Sequence, residues 1–198
     1  MKNFITIEGG EGSGKSTITT LLSEELTKLG IENIASREPG GVKSSERIRN
    51  VIFDYEVDPK TEVLLFAAAR NEHLKNKVIP ALESGKVVIC DRYVDSSLAY
   101  QGVGHGLGID EVKKVNDYII GDYLPEKTFF LDVKPEDALK RITSSREITR
   151  FDLKEIEFHN KVYDAFDNLC KENPDRYIRI DASGTVENAF DQIMEYFK

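Results

Sequence analysis

The sequence predicts an α/β protein of one domain, residues 1–198, built on a doubly wound sheet of five parallel strands. Two observations predict this fold: five short apolar runs recur along the chain, and amphipathic segments of helical period separate them. Strands that alternate with helices form parallel sheets with helices on both faces. Ligands of such sheets bind beyond the carboxyl ends of the strands.

The five apolar runs are predicted to be buried strands, because they are short and lack polar alternation. They span Phe4–Ile7, roughly Ile31–Arg37, Val87–Cys90, Phe129–Leu131 and Tyr177–Ile180.

Apolar residues at helical spacing predict the helices between and after these strands. The segments are Ile18–Leu29, Glu46–Phe53, Lys60–Lys77, Phe158–Leu169 and Val186–Phe197. Gly30 is expected to cap the first, because glycine accepts the left-handed backbone of a helix C-terminus. Pro80 is expected to end or kink the third.

Composition narrows the class of protein. Of 198 residues, 40% are hydrophobic and 31% charged, as in ordinary globular domains. The formal net charge of −8 argues against nucleic acid as a partner, because such binding needs a basic face.

The two cysteines, Cys90 and Cys170, have no CxxC spacing, so neither a zinc site nor a disulfide framework is indicated. With no secretory signal and no apolar stretch near the ~20 residues of a membrane span, a cytoplasmic protein without a membrane partner is expected.

The segment Gly9–Ser16 matches GxxxxGK[ST] between a predicted strand and a predicted helix. Backbone N–H groups of such a loop face phosphates, and the following helix presents its positive end. Lys15 is expected to reach the β- and γ-phosphates, and Ser16 to ligate Mg²⁺. The loop residues expected to bind ATP are Gly9, Gly10, Glu11, Gly12, Ser13, Gly14, Lys15, Ser16 and Thr17.

Asp91 closes the third predicted strand and is the expected partner of Mg²⁺, directly or through water. An isolated Asp at a strand end is more often solvated, but the nearby phosphate loop favours the metal role.

Phosphate loops occur in GTPases, motor proteins and small-molecule kinases. The guanine-reading NKxD is absent, since Asn76-Lys77 precedes Val78-Ile79 and Asn160-Lys161 precedes Val162-Tyr163. Motor ATPases are usually longer. Arginines scattered through the loops suit phosphoryl transfer between two small anionic ligands, because arginines hold and neutralise phosphates.

Three further segments, in order after the phosphate loop, resemble the thymidylate kinase family over nearly the whole chain. They are Arg37–Gly41, Leu65–Arg70 and Ile89–Gln101. The resemblance implies the fold of a P-loop nucleoside monophosphate kinase with a short mobile lid, and usually a homodimer. The implied reaction transfers the γ-phosphate of MgATP to dTMP, giving dTDP and ADP.

The resemblance also implies a dTMP site. It makes Phe66 the ring stacked on thymine and Arg70, four residues later, a donor to a base carbonyl. Gln101 suits the Watson–Crick edge, because its amide both donates and accepts, and Ser97 would support it. Tyr100 would lie near the sugar, where its bulk excludes a 2′-hydroxyl. The alternatives are a core position for Phe66, a solvated cap for Arg70 and an ordinary polar helix face for the others.

The acceptor phosphate has three candidate partners, Arg37, Arg49 and Arg92, and Arg49 is equally well interpreted as a surface charge. Glu38 is a candidate catalytic residue acting through the metal or a water. The acceptor phosphate is already ionised at neutral pH, so no strong general base is required. Catalysis should rest on positioning and electrostatics, with Lys15 and Arg92 among the catalytic residues.

The polar segment 143–152 resembles the family's lid. Glu11 stands where some members carry a catalytic arginine, so Arg146 or Arg150 is expected to supply charge to the transition state. In the family, Asp often precedes the second arginine, but this chain has Thr149 there. The sequence therefore does not predict which salt bridges the lid arginines form. The alternative is a solvated charged loop.

From the resemblance, Arg141 is expected to stack on adenine, and the turn containing Ala182 to contact the adenine edge. His73, His105 and His159 show no metal-ligand spacing and are interpreted as incidental. Mg²⁺ should arrive with the nucleotide and be held by few protein oxygens.

Two other functions stay open. One is a kinase for another small acceptor, such as a deoxynucleoside, against which the pairs Phe66/Arg70 and Ser97/Gln101 favour thymine. The other is a nucleotide-binding switch without turnover, against which the arginine-bearing lid argues.

Overall fold

The computed structural model describes residues 3–142 and 149–197, and its sheet has five parallel strands in the order β2-β3-β1-β4-β5. The doubly wound five-stranded sheet predicted from the sequence is confirmed. The strands are β1 Phe4–Glu8, β2 Asn33–Arg37, β3 Val87–Asp91, β4 Lys127–Asp132 and β5 Tyr177–Asp181.

Nine α-helices in the described residues connect or follow these strands. They are α1 Lys15–Lys28, α2 Lys43–Asp54, α3 Pro59–His73, α4 Ile79–Glu83, α5 Val94–Ser97, α6 Ile109–Ile120, α7 Pro135–Lys140, α8 Ile156–Glu172 and α9 Val186–Met194. The five segments with predicted helical spacing fall within or overlap α1, α2, α3, α8 and α9. A π-helical segment, Leu98–Gly104, continues α5, and a 3₁₀ turn, Glu195–Phe197, follows α9.

One face of the sheet packs against α1 and α9. Ile7, Ile89 and Phe129 come from three strands and contact Leu22 of α1 and Ile193 of α9 in one apolar cluster. All five side chains are buried, so this cluster fixes the position of α1 on the sheet. The start of α1, at the phosphate loop, is thereby fixed as well.

The opposite face is covered by α3, α4, α5 and α8. Phe4 and Val88 pack there with Tyr93, which lies two residues beyond the end of β3. Phe130 packs with Phe166 of α8. The neighbouring strands β1 and β3 therefore send their following segments to opposite faces, which opens a crevice at their carboxyl ends.

The sequence predicts that Pro80 ends or kinks the helix that contains it. The helix does not end at this residue. The α-helical turns of α3 pass into a π-helical segment, Leu74–Val78, and continue through α4 to Glu83. Proline lacks the N–H of an α-helical bond, and its ring would strike the carbonyl of Asn76. The wider π-helical turn before Pro80 accommodates the ring.

The helix α6 is not among the predicted elements. Its buried residues Val112, Asn116 and Ile120 recur every four positions, a helical period that the sequence contains but that was not assigned. The buried Asn116 donates to the carbonyl of Val112 and accepts from Arg70 of α3, which ties α6 to the wall of the crevice.

Candidate active site

A cleft of about 810 Å³ lies at the carboxyl edge of the sheet. Of the residues proposed from the sequence, those lining it are Glu11, Gly12, Ser13, Gly14, Lys15, Ser16, Thr17, Arg37, Glu38, Arg49, Phe66, Asp91, Arg92, Ser97, Tyr100, Gln101, Arg141 and Ala182. Gly9, Gly10, Arg70 and Arg150 lie outside this lining. Arg146 lies outside the described residues.

The phosphate loop wraps around the amine of Lys15. Lys15 Nζ donates to the carbonyl of Gly10 at 2.6 Å and to Ser13 Oγ at 3.1 Å. Burial lowers the pKa of Lys15, and the nearby guanidinium of Arg92 lowers it further, to about 8. An anion in the cleft would raise this pKa again, because it favours the charged amine.

Gly12 is where the loop touches the rest of the protein most tightly. Its φ is +72°, and an added Cβ would lie 2.1 Å from the carbonyl oxygen of Ala138 in α7. Gly10 differs, because an added Cβ there meets nothing within 4 Å and its backbone is not left-handed. Only Gly12 of this pair therefore requires glycine for both shape and space.

Ser16 and Asp91 stand together at the start of α1 and the end of β3. Ser16 Oγ donates to Asp91 Oδ2 at 2.5 Å. Both side chains offer oxygen, the ligand atom that Mg²⁺ prefers, and both line the cleft beside the phosphate loop. The pair fits an ion that keeps most of its ligands as nucleotide oxygens and water.

Arg92 is the polar centre of the cleft. Its guanidinium donates to the Gly9 carbonyl at 3.1 Å, Ser96 Oγ at 3.1 Å, Glu11 Oε1 at 2.7 Å and Tyr100 Oη at 3.1 Å. Burial alone lowers the pKa of Arg92, but the neighbouring Glu11 and Tyr100 outweigh it and raise the pKa above its usual value. Its φ of +68° is rare for a residue with a side chain, and the four contacts hold it there.

Glu8 is a buried carboxyl that the sequence analysis did not single out. Its Oε1 accepts from the Tyr93 N–H at 2.7 Å, and its Oε2 accepts from Ser96 Oγ at 2.6 Å. Burial, followed by the nearby charge of Asp95, raises the pKa of Glu8 to about 8. A carboxylate at the end of a buried strand, directly before the phosphate loop, was the sequence signal.

The far end of the cleft is lined by Phe66 of α3 and by Ser97 and Gln101. Gln101 Nε2 donates to Glu62 Oε1 at 2.8 Å. A ring and a buried amide therefore face the same cavity, as the base site requires.

Arg70 lies behind this wall, with 1% of its surface exposed. Its donors bind Glu38 Oε2 at 2.8 Å, the Tyr93 carbonyl at 3.0 Å, Ser97 Oγ at 3.2 Å, and Asn116 Oδ1. The solvated-cap alternative is wrong for this residue. Its contact with Ser97 brings its guanidinium to the back of the cleft, and donation to a base carbonyl stays a prediction.

Two histidines interpreted as incidental are parts of this network, and that interpretation is corrected. His73 is buried, with Nδ1 3.0 Å from Glu38 Oε1 and Nε2 2.7 Å from Ser36 Oγ. His105 Nε2 lies 3.2 Å from Glu62 Oε1. The spacing rule applied to them tests for metal ligands and carries no information on pairing with carboxylates.

The remaining predicted arginines of the acceptor side lie at the mouth of the cleft. Arg37 donates to both oxygens of Glu46 at 3.0 Å. Arg49 donates to the Pro39 carbonyl at 2.9 Å and lies over the ring of Phe53 at 4.3 Å. Arg49 is therefore held against the cleft by its own helix and is not a free surface charge.

Arg141 and the turn after β5 meet at the opposite mouth. Arg141 donates to the carbonyls of Ala182 at 2.9 Å and Ser183 at 2.7 Å. These contacts leave a planar guanidinium beside a turn with exposed backbone, the two features expected around an adenine.

The described part of the predicted lid is anchored to α2 and α3. Thr149 lines the cleft, and its N–H and hydroxyl both donate to Asp152 Oδ2 at 2.7 Å. Arg150 Nε donates to the Ile52 carbonyl at 2.8 Å, and its Nη2 donates to Glu62 Oε2. The open question of the local salt bridges is thus answered for Arg150: its carboxylate partner is Glu62.

Known proteins resemble this chain over almost its whole length. The family model described as thymidylate kinase matches residues 7–193. A thymidylate kinase of Clostridium novyi is 46% identical over 200 residues, covering 98% of each chain. One of Bacillus licheniformis is 50% identical over 189 residues, covering 93% of this chain and 89% of that one. The crystal structure of thymidylate kinase from Ehrlichia chaffeensis has a TM-score of 0.82 at 34% identity, covering 98% of this chain and 97% of that one.

Gly12→Ala is expected to lower the free energy of unfolding by about 2 kcal/mol or more, because a Cβ strikes Ala138 from a left-handed backbone. The matched variant Gly10→Ala should change it by less than about 1 kcal/mol. Urea denaturation of both variants measures the difference. Equal effects of the two substitutions would contradict the steric argument.

Glu8→Gln is expected to flatten the dependence of stability on pH. The pKa of Glu8 rises from 4.5 to about 8 on folding, so the stability contributed by the protonated carboxyl is full below pH 4.5 and lost as the pH rises through about 8. The variant stays neutral, and its unfolding free energy should fall less between about pH 5 and about pH 8 than that of the wild type. Urea denaturation across this range tests it, with the exposed Glu83→Gln as a control that keeps the wild-type slope. Parallel curves for Glu8→Gln and the wild type would refute the assignment.

Proposed function

Because this chain belongs to the thymidylate kinase family, we propose that it transfers the γ-phosphate of ATP to dTMP, giving dTDP and ADP. One observation carries the proposal: a single cleft has the phosphate loop at one end and Phe66 with Gln101 at the other. Such a cleft holds a nucleotide and a base-bearing acceptor with their phosphates facing each other, which is the arrangement phosphoryl transfer needs.

The donor end would hold ATP through the loop Gly9–Thr17. Lys15, released from the Gly10 carbonyl, would bind the β- and γ-phosphates, and Arg141 would lie against the adenine. Mg²⁺ would bind through Ser16 and Asp91 and would supply positive charge to the phosphate oxygens.

The acceptor end would hold dTMP. Phe66 would stack on thymine, Gln101 would bind its Watson–Crick edge with support from Ser97, and Arg70 would donate to a base carbonyl from behind. Tyr100 would face the sugar, and its buried ring leaves little room for a 2′-hydroxyl.

Three arginines, Arg37, Arg49 and Arg92, would bind the acceptor phosphate. Arg92 is the best placed, because its guanidinium lies between the phosphate loop and Tyr100. Their presence argues against a deoxynucleoside as acceptor, since an uncharged acceptor does not need three cations at that end. Glu38 would act indirectly, because it is engaged by Arg70 and His73.

Catalysis would depend on positive charge brought to the transferring phosphoryl group, without a strong general base. The chain would act as one kinase domain with a lid over about residues 143–152. Arg150 would leave Glu62 to contact the transferring group, or Arg146 would take this role. A non-catalytic switch would have no use for such a charge.

The same proposal extends to the location, the assembly and the ligands of the enzyme. We infer a cytoplasmic homodimer that binds ATP and dTMP and no nucleic acid, in line with the net charge of −8. No helix among the described residues is long and apolar enough to span a bilayer.

Offered separately with MgATP, the acceptors dTMP, dUMP, dCMP, dGMP, dAMP and thymidine should give strong ADP release with dTMP alone. Coupled measurement of ADP tests this directly. Turnover of thymidine in place of dTMP would favour the deoxynucleoside kinase, and ATP binding without acceptor-dependent ADP release would favour the switch.

Arg150→Ala is expected to lower kcat by about 10-fold to 100-fold and to change the KM for dTMP by less than about threefold, because its proposed contact forms mainly in the transition state. Steady-state kinetics measure both constants. Arg47→Ala, an exposed arginine of α2 outside the cleft, is the control. Unchanged kcat in Arg150→Ala would transfer the role to Arg146.

A further inference from the structure

Glu62 is a buried carboxylate in α3 to which neither the sequence motifs nor the proposed reaction assigns a role. Only 1% of its surface is exposed. Carboxylates are rarely buried to this extent unless other groups pair with them. Its Oε1 accepts from Gln101 Nε2 at 2.8 Å and lies 3.2 Å from His105 Nε2. Its Oε2 accepts from Arg150. The carboxylate therefore joins the base-facing amide to the lid.

The hydrogen bond to Glu62 fixes which end of the Gln101 amide is free. The NH₂ group is directed at the carboxylate, and the carbonyl oxygen takes no hydrogen bond from the residues that the structure describes. Gln101 lines the cleft and is otherwise buried. Its free hydrogen-bonding function toward a ligand is thus an acceptor.

The reverse orientation of the amide is unfavourable for an electrostatic reason. A carboxylate only accepts hydrogen bonds, so turning the amide over would place its carbonyl oxygen against Glu62 Oε1. Two buried acceptors in contact lose a hydrogen bond and repel each other.

We propose that Glu62 is a positioning residue that holds the carbonyl oxygen of Gln101 toward the base and thereby sets selectivity for a pyrimidine with a donor at N3. This inference rests on the proposed function of the cleft. Thymine carries N3–H and donates to such an oxygen. Cytosine has a lone pair at N3, and the fixed carbonyl repels it. A rotatable amide would serve both bases, so the discrimination lies in the orientation and depends on Glu62.

The charge of Glu62 is present at every pH at which the enzyme would work. Burial raises the pKa of this carboxyl, but hydrogen bonds from His105, Arg150 and Gln101 outweigh burial and lower the pKa to about 2. Glu62 therefore remains acceptor-only at neutral pH, and its hold on the amide is constant.

The test is the ratio of kcat/KM for dTMP to kcat/KM for dCMP in Glu62→Gln. An amide at position 62 both donates and accepts, so it stabilises either orientation of Gln101. The ratio should fall by about tenfold or more, with an absolute gain for dCMP. Calorimetric titration of dTMP and dCMP in the absence of ATP should show the same change in relative affinity.

Two controls separate positioning from a general structural effect. Arg150→Ala removes the other partner of Glu62 and should leave the dTMP to dCMP ratio within about threefold of the wild type, whatever happens to kcat. Glu83→Gln, an exposed carboxylate at the end of α4, should leave the ratio unchanged.

The exchanged pair Glu62→Gln with Gln101→Glu keeps one amide and one carboxylate in the same space. Its position 101 can only accept, so it should reject dCMP at least as strongly as the wild type, and this variant remains informative if Glu62→Gln does not fold. A Glu62→Gln enzyme with an unchanged ratio, or an exchanged pair that accepts dCMP, would overturn the inference. A wild type that does not prefer dTMP would instead overturn the proposed function.

Discussion

The half-buried guanidinium of Arg92 makes the interactions on which the rest of the cleft depends. It binds the Gly9 carbonyl and Glu11 of the phosphate loop on one side, and Ser96 of α5 and Tyr100 of the π-helical segment on the other. Removing such a partly desolvated charge would leave its four hydrogen-bond partners without it, which is costly. The contacts of Arg92 therefore fix the position of the phosphate loop relative to α5 and the π-helical segment that follows it.

A second layer of buried polar groups repeats this principle around the base-facing wall. Glu38 binds Arg70 and His73, and Glu62 binds Gln101 and Arg150. Each carboxylate accepts from or lies against two or more donors, which favours a fixed position for its side chain. Rigidity of this kind suits a reaction whose catalysis rests on positioning charges that are already in place.

The sequence predicted the fold well because each element carries a local signal. The three central strands β1, β3 and β4 are buried over nearly their whole length, and the phosphate loop has a fixed spacing. The missed helix, α6, carried its signal at the four-residue spacing of Val112, Asn116 and Ile120. The path of the chain through Pro80 could not be predicted, since the π-helical turn that admits the ring has no residue signature.

The site was predicted by residue type but not by partner. Motifs brought Lys15, Ser16 and Asp91 together, and the structure agrees on their proximity. Glu8 and Glu62 went unnoticed because a single carboxylate in an apolar run looks like a surface residue until its burial is known. Which acid faces which arginine is a tertiary property, and spacing along the chain does not encode it.

The tight packing of Gly12 on α7 also limits how this loop can change in evolution. A substitution in this loop persists only if the protein still folds. At Gly12 any side chain meets the backbone of Ala138, and at Glu11 an arginine would replace the carboxylate that neutralises Arg92. Gly10 meets neither obstacle. Of these three neighbouring positions, Gly10 alone could take a side chain without a clash with backbone or the loss of a charge partner.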